Sequence, residues 1–430
     1  MFLSVKTSRF RAVYSLGSAK WICLLLFAFV VLLPKGGFKV AEIPITWGYI
    51  FIFLFGGIAI PWAALDINRF RLPALTLYVW GCLTLFQGIL LLSFMYGISS
   101  GFAFSAVINF FLLPFILLIL WRRWYSPEMI ALALRALRFC VYAAAIYGIF
   151  LFVFRLATGK MIEIPFLTVN AGDFGMIESK DNLRSKFIMK LVSTYNNGNI
   201  YGAATILLLP LFDHLESRRM PRIVMRVALL LTLSRTAWFG LFLDQFLNSY
   251  TVLRHSFRGP LVILLKRFKK LSLPLLTVVL ILPLVIGLTL WMPGGLGMLT
   301  DTSLGGRSGI FDALHTFTLL PALPFLGFAE MVFLSALQQL GLIGFLAMLN
   351  LFLCPLWFGY IDRTLRASPV RKAAVKGLLL YSAIAWIDGA ISYIPVMAFY
   401  WFVTAIAIYA REEDKEGMEN RVTERICRRI

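Results

Sequence analysis

The sequence is poor in charge, in acid and in histidine. Only 14% of its residues are charged and 3 are histidine, against 60% hydrophobic. No soluble domain of 430 residues buries that much apolar side chain. The five cysteines, Cys23, Cys82, Cys140, Cys354 and Cys427, include no CxxC pair, so neither a metal site nor a disulfide framework is expected. His214, His255 and His315 are too scattered to ligate a metal. Walker, GxGxxG and HExxH motifs are all missing. Nucleotide chemistry on the cytoplasmic side is therefore not expected. Any reaction uses a substrate that arrives already activated.

What the chain does have is a series of apolar runs of membrane length, with basic residues in alternate loops. Roughly 20 apolar residues span a bilayer. Runs of this kind read as spans over 20–34, 45–65, 73–96, 101–121, 136–156, 200–213, 223–235, 237–250, 272–292, 333–359, 375–393 and 394–410. The expected fold is all-α, a polytopic membrane protein of about twelve helices over 1–410, with a basic tail at 411–430. The net charge of +20 sits in short loops (Arg122 and Arg123; Arg218 to Arg226; Arg363 to Lys376) and in the tail. That distribution follows the positive-inside rule, puts both termini in the cytoplasm and argues for anionic lipid rather than nucleic acid. Pro34-Lys35 ends the first run without a small-residue cleavage site, so the first run reads as an uncleaved span. The weakest spans are 200–213 and the pair around Arg235, which are short, and one of them is read as tilted, broken or re-entrant.

Two outer loops are long, about 157–199 and 293–332. Loops of such length in a compact bundle are usually functional or disordered. Several residues at this face are candidates for chemistry. Arg235 stands between apolar stretches, where an arginine either binds something or snorkels to the interface. Arg307, in SLGGRSGIF, is an outer-loop cation against the charge trend, and is either a ligand or an ordinary loop charge. Two guanidiniums at one face suit a diphosphate. Glu330 is either a general base or an acid favoured by a helix dipole. Asn197 and Asn199, in STYNNGNIYG, either bind sugar hydroxyls or form a turn and helix cap. His315 follows Arg307 on the same loop as a further base candidate. Asp244 and Asp388 fall inside predicted spans and keep an ion-coupled transporter open as an alternative.

Three pieces in order, NGN at 197–199, TLSRTAW at 232–238 and SLGGRSGIFDAL at 303–314, are followed by PFLGF and LQQLGLIGF. This set resembles the O-antigen ligase and polymerase superfamily of bacterial membrane glycosyltransferases. The resemblance covers roughly 190 to 360. It implies transfer of a glycan from an undecaprenyl-diphosphate-linked oligosaccharide to an acceptor glycan at the periplasmic face of the inner membrane, with no metal or other cofactor. It also implies that Arg235 and Arg307 engage the diphosphate. On that reading Glu330 is the candidate to deprotonate or position the acceptor hydroxyl, and Arg184, Asn197, Asn199 and His315 are the substrate-binding candidates. Glu330-Met331 stand where ligases carry a His-Asn pair, which favours a surface polysaccharide polymerase. The alternatives are a ligase acting on lipid A core or protein, a lipid-linked sugar transporter or flippase, and a subunit that works with other polysaccharide assembly proteins.

Overall fold

The computed structural model describes residues 16–40, 43–64, 72–178, 182–183, 189–256 and 317–410. The predicted span 272–292, the tail from 411, and Arg184, Arg307 and His315 lie outside the described residues. Of the described residues, 76% are helical. In chain order the main helices are α1 (Leu16–Phe27), α2 (Trp47–Ala64), α3 (Ala74–Phe94), α4 (Ser100–Val107, prolonged by tighter and wider turns to Trp124), α5 (Pro127–Thr158), α6 (Gly198–Leu215), α7 (Arg219–Leu231), α8 (Arg235–Ser256), α9 (Val332–Leu353), α10 (Pro369–Asp388) and α11 (Ile394–Tyr409). Among the described residues, four helical stretches are long and apolar enough to cross a membrane: Ala74–Phe94, Gly101–Arg122, Pro127–Thr158 and Val332–Ile361. Three shorter ones are apolar throughout: Trp21–Leu32, Trp47–Pro61 and Ile394–Tyr409.

Large apolar side chains cover the outside of the bundle as well as its core. Trp21 is 68% exposed, Phe139 63% and Phe242 62%. Water would penalise such a surface and a bilayer does not. The chain is thus a mostly helical protein with membrane-crossing segments.

Local sequence explains the best-formed elements. α5 starts at Ser126, whose Oγ accepts from the Met129 amide at 3.3 Å, with Pro127 next and Glu128 in the first turn. It stops at Gly159, which takes φ 73. At 1.5 Å per residue its 32 residues reach about 48 Å, more than the ~30 Å hydrocarbon core.

α6 is apolar on every side and is buried along nearly its whole length, as such a helix must be. α8 runs parallel to it, with Gly202 against Ala237 and Gly240 against Ile206. α10 runs antiparallel, and Gly377 lies so close to α6 that an added Cβ would fall 2.2 Å from the Leu207 carbonyl oxygen. In α4 the wide turns free two carbonyls. That of Asn109 accepts from Trp401 Nε1 at 2.7 Å and that of Phe110 from Gln87 Nε2 at 2.6 Å. These bonds tie α4 to α11 and α3.

The structure departs from the sequence reading in three places. First, the all-α expectation omits an antiparallel hairpin, β1 (Gly37–Val40) and β2 (Ile43–Thr46), in register Gly37 to Thr46 and Val40 to Ile43. Its strands are too short to show an alternating pattern, and β2 merges into the apolar run of α2. Second, the outer segment after α5 is not a bare loop. Val169, Ile177, Met189 and Val192 form a small core of their own. Asp173 pairs with Lys39 of β1, and the Phe166 carbonyl accepts from Trp47 Nε1 at 2.6 Å. Third, α9 is broken at Gly341 (φ 71, ψ −175). There the Leu342 and Ile343 amides donate to the carbonyls of Thr318 and Leu319, at 2.8 and 3.1 Å. The segment at Thr318 and Leu319 therefore docks into the break.

Candidate functional site

One end of the bundle gathers the starts of α6, α8, α9 and α11 with the end of α10. The Gly389 amide, just past α10, donates to the Glu330 carbonyl at 3.1 Å, and Ser392 Oγ donates to the Phe328 carbonyl at 3.0 Å. The antiparallel course of α10 against α6 brings its last turn alongside the first turn of α6. This is the cap end. It is the end that the charge pattern assigns to the outer face, because exposed Arg218, Arg219, Arg363, Arg366 and Lys372 lie at the opposite end.

The first turn of α6 is fixed by Asn197. Its Oδ1 accepts from the Asn199 amide at 2.8 Å and the Ile200 amide at 3.4 Å. Asn197 is therefore a helix cap, the second of its two sequence readings. Asn196 before it takes φ 58, which asparagine tolerates. Its carbonyl accepts from Asn182 Nδ2 at 2.7 Å. The side-chain oxygens of Asn182, Asn196 and Asn199 are buried and find no hydrogen-bond partner among the described residues. Buried acceptors left open in this way mark a polar site.

Arg235 opens α8. The preceding turn is held by Thr232 Oγ1 donating to the Leu229 carbonyl at 2.6 Å and by Trp238 Nε1 donating to the Leu230 carbonyl at 2.9 Å. Leu233 sits at φ 50 in that turn, an unusual conformation for a leucine. The Arg235 side chain is half-buried. Among the described residues no carboxylate or carbonyl pairs with it. A positive charge at the start of a 22-residue helix also faces the positive end of the helix dipole. An anion relieves both penalties. By contrast Arg371, 1% exposed, is satisfied by Asp362 Oδ2 at 2.6 Å, Thr364 Oγ1 at 3.0 Å and the Ala407 carbonyl at 2.7 Å.

Glu330 is exposed at the rim, next to the start of α9. The cap end thus brings together Arg235, Asn197, Asn199 and Glu330, and Asp388 at 2% exposure terminates α10 beside them. Lys190, 5% exposed and packed against Gly198, joins this cluster. Nothing in the chain's pattern singles it out, because it sits among other charges of a loop that reads as solvated. Among the described residues no three Cys, His, Asp or Glu side chains are arranged to hold a metal.

Asp244 lies at the other end. It pairs with Lys376 at 2.5 Å and stands 4.0 Å from Arg226, which binds Asp213 at 2.5 Å. Lys376 also donates to Asn248 Oδ1 at 2.7 Å. Two acids and two bases from α6, α7, α8 and α10 thereby neutralise one another. In the connection between α6 and α7, hydrogen bonds from Arg218 hold the Glu216 carboxyl down at about 2.

Fold and site together define a helical membrane protein with an anion-ready polar end. No family model, no curated protein and no solved structure matches the chain.

Proposed function

We propose that the chain is a membrane glycosyltransferase of the O-antigen polymerase kind, a reading that rests on the sequence resemblance and on one structural observation. That observation is Arg235: half-buried, at a helix start, and without a protein counter-ion among the described residues. The proposed topology is about twelve spans in a bacterial inner membrane, with the cap end in the periplasm and both termini cytoplasmic.

In the proposed reaction an acceptor hydroxyl oxygen attacks the anomeric carbon of an undecaprenyl-diphosphate-linked repeat. The bond from that carbon to the diphosphate oxygen breaks, and the lipid diphosphate leaves with the electron pair. Arg235, joined by Arg307, stabilises the charge that develops on it. Glu330 takes the acceptor proton at the rim. Asn199, with an open side-chain oxygen, accepts from a sugar hydroxyl. A single displacement inverts the anomeric centre.

The test is purified protein in liposomes given the host's lipid-linked repeat, wild type beside Arg235→Ala, Arg235→Lys and Arg307→Ala. A ladder of longer glycans is expected from the wild type. Loss of one transition-state contact should slow it by about 10²–10³. Lysine, which lacks the bidentate fork, should restore it only in part. A wild-type protein that folds but makes no ladder would sink the polymerase reading.

A further inference from the structure

Lys35 is a further cation at the cap end, outside the NGN, SRT and GGR segments. It lies in the turn between α1 and the hairpin, outside the helices. That turn is pinned to the approach to α6, since the carbonyls of Leu32 and Val31 accept from Thr194 Oγ1 (2.5 Å) and Tyr195 Oη (2.9 Å). The Lys35 ammonium stands 4.3 Å from the centre of the Tyr393 ring, at the start of α11. It has no hydrogen bond or ion pair among the described residues.

The other well-placed cations differ. Lys39 has Asp173, Arg155 has Glu178, Arg218 has Glu216, Arg226 has Asp213, Arg371 has Asp362 and Lys376 has Asp244. Arg138 and Arg222 donate to the carbonyls of Leu215 and Asp213, whereas half-buried Lys35 and Arg235 have neither a carboxylate nor a carbonyl partner among the described residues, and both are at the cap end. A half-buried ammonium lacking an acid partner loses hydration without recovering it, and an aromatic face compensates only in part.

We infer that Lys35, seated on Tyr393, binds an oxyanion of the substrate: either a phosphate of the lipid diphosphate or a carboxylate of an acidic sugar. The assignment rests on the glycosyltransferase reading only for the source of that oxyanion. The groups around the ammonium are Tyr393 just before α11, Lys39 on β1 and Asp173 in the segment after α5. Burial pushes Lys35 down to about 8, with Asp173 acting upward and Lys39 downward. An unoccupied Lys35 is therefore a reactive amine near pH 8, and a bound anion should keep it protonated and unreactive.

The experiment uses the full chain in nanodiscs, acylated briefly at pH 8 with an amine-reactive ester and mapped by mass spectrometry. Exposed Lys372, at the opposite end, serves as the control. Protection of Lys35 by at least about fivefold with farnesyl diphosphate, Lys372 unchanged, supports the assignment and identifies the diphosphate. Protection only by a uronate-bearing oligosaccharide supports it and identifies the glycan. Protection by neither at millimolar concentration overturns it. In the ladder assay Lys35→Met should raise KM for the anionic partner, and Lys35→Arg should restore it. A Lys35→Met protein whose KM is unchanged also overturns the assignment. Protection without any wild-type ladder would leave Lys35 as an anion site and remove the polymerase reading alone.

Discussion

Replacing Asp244 with asparagine tests whether the intramembrane acid is structural or part of an ion path. Asp244 is 1% exposed, with Lys376 at 2.5 Å and Arg226 at 4.0 Å. The wild-type cluster of Asp213, Arg226, Asp244 and Lys376 is neutral. Asp244→Asn leaves one uncompensated positive charge among four packed helices. Breaking a buried pair from one side costs about 3–5 kcal/mol. The Lys376 side chain is 25% exposed, and its partial hydration lowers the expected loss to about 2–3 kcal/mol.

Asp244→Asn with Lys376→Gln restores neutrality and should recover at least half of that loss. Lys376→Gln alone strands Asp244 and should be at least as harmful as Asp244→Asn. The assay is denaturant unfolding in detergent followed by tryptophan fluorescence, run as a double-mutant cycle. A coupling below about 0.5 kcal/mol would refute the reasoning, because neighbours this close cannot be independent. Glycan polymerisation by the double variant should remain within a few-fold of wild type. A well-folded double variant that no longer polymerises would show that the Asp244–Lys376 pair does more than neutralise itself.

Three further outcomes are expected. Gly341→Ala puts a Cβ 2.8 Å from the Thr318 carbonyl oxygen at φ 71, and should cost about 1–3 kcal/mol in the same unfolding assay by expelling the segment docked in the α9 break. Asn197→Ala should lose about 1 kcal/mol of cap energy and Asn197→Asp very little, read as thermal melting in detergent; equal losses would mean that the asparagine does more than cap. Glu216 titrates lower when folded than when unfolded, so its contribution is full above about 4.3 and disappears as pH falls towards about 2. Melting profiles from pH 6 to 2 should be shallower for Glu216→Gln than for wild type, and parallel profiles would show that the Arg218 contact adds nothing.

Much of the helical framework could be read from runs of apolar residues. The predicted spans 73–96, 200–213 and 394–410 correspond closely to α3, α6 and α11. Even the doubtful pair around Arg235 proved to be two helices, α7 and α8. The break at Gly341 left only one sequence trace, a glycine in LQQLGLIGF, because its cause is a segment from another part of the chain. The hairpin at 37–46 and the small core around Val169 are each local, but what joins them, Lys39 to Asp173 and Trp47 to Phe166, spans more than a hundred positions and leaves no trace in spacing.

The same division holds for the site. Composition and hydrophobic spacing determined that this is a helical membrane protein, since apolar side chains and the absence of water leave the backbone few alternatives. Sequence also singled out Arg235, by placing a guanidinium among apolar neighbours. Only the tertiary structure decided which charges are neutralised. It gave Asp244 to Lys376, Arg371 to Asp362 and Asn197 to the α6 cap, and among the described residues it left Arg235 and Lys35 without acid partners. Ion pairing is set by distances of a few ångströms between separate helices, and no spacing along one chain encodes those distances.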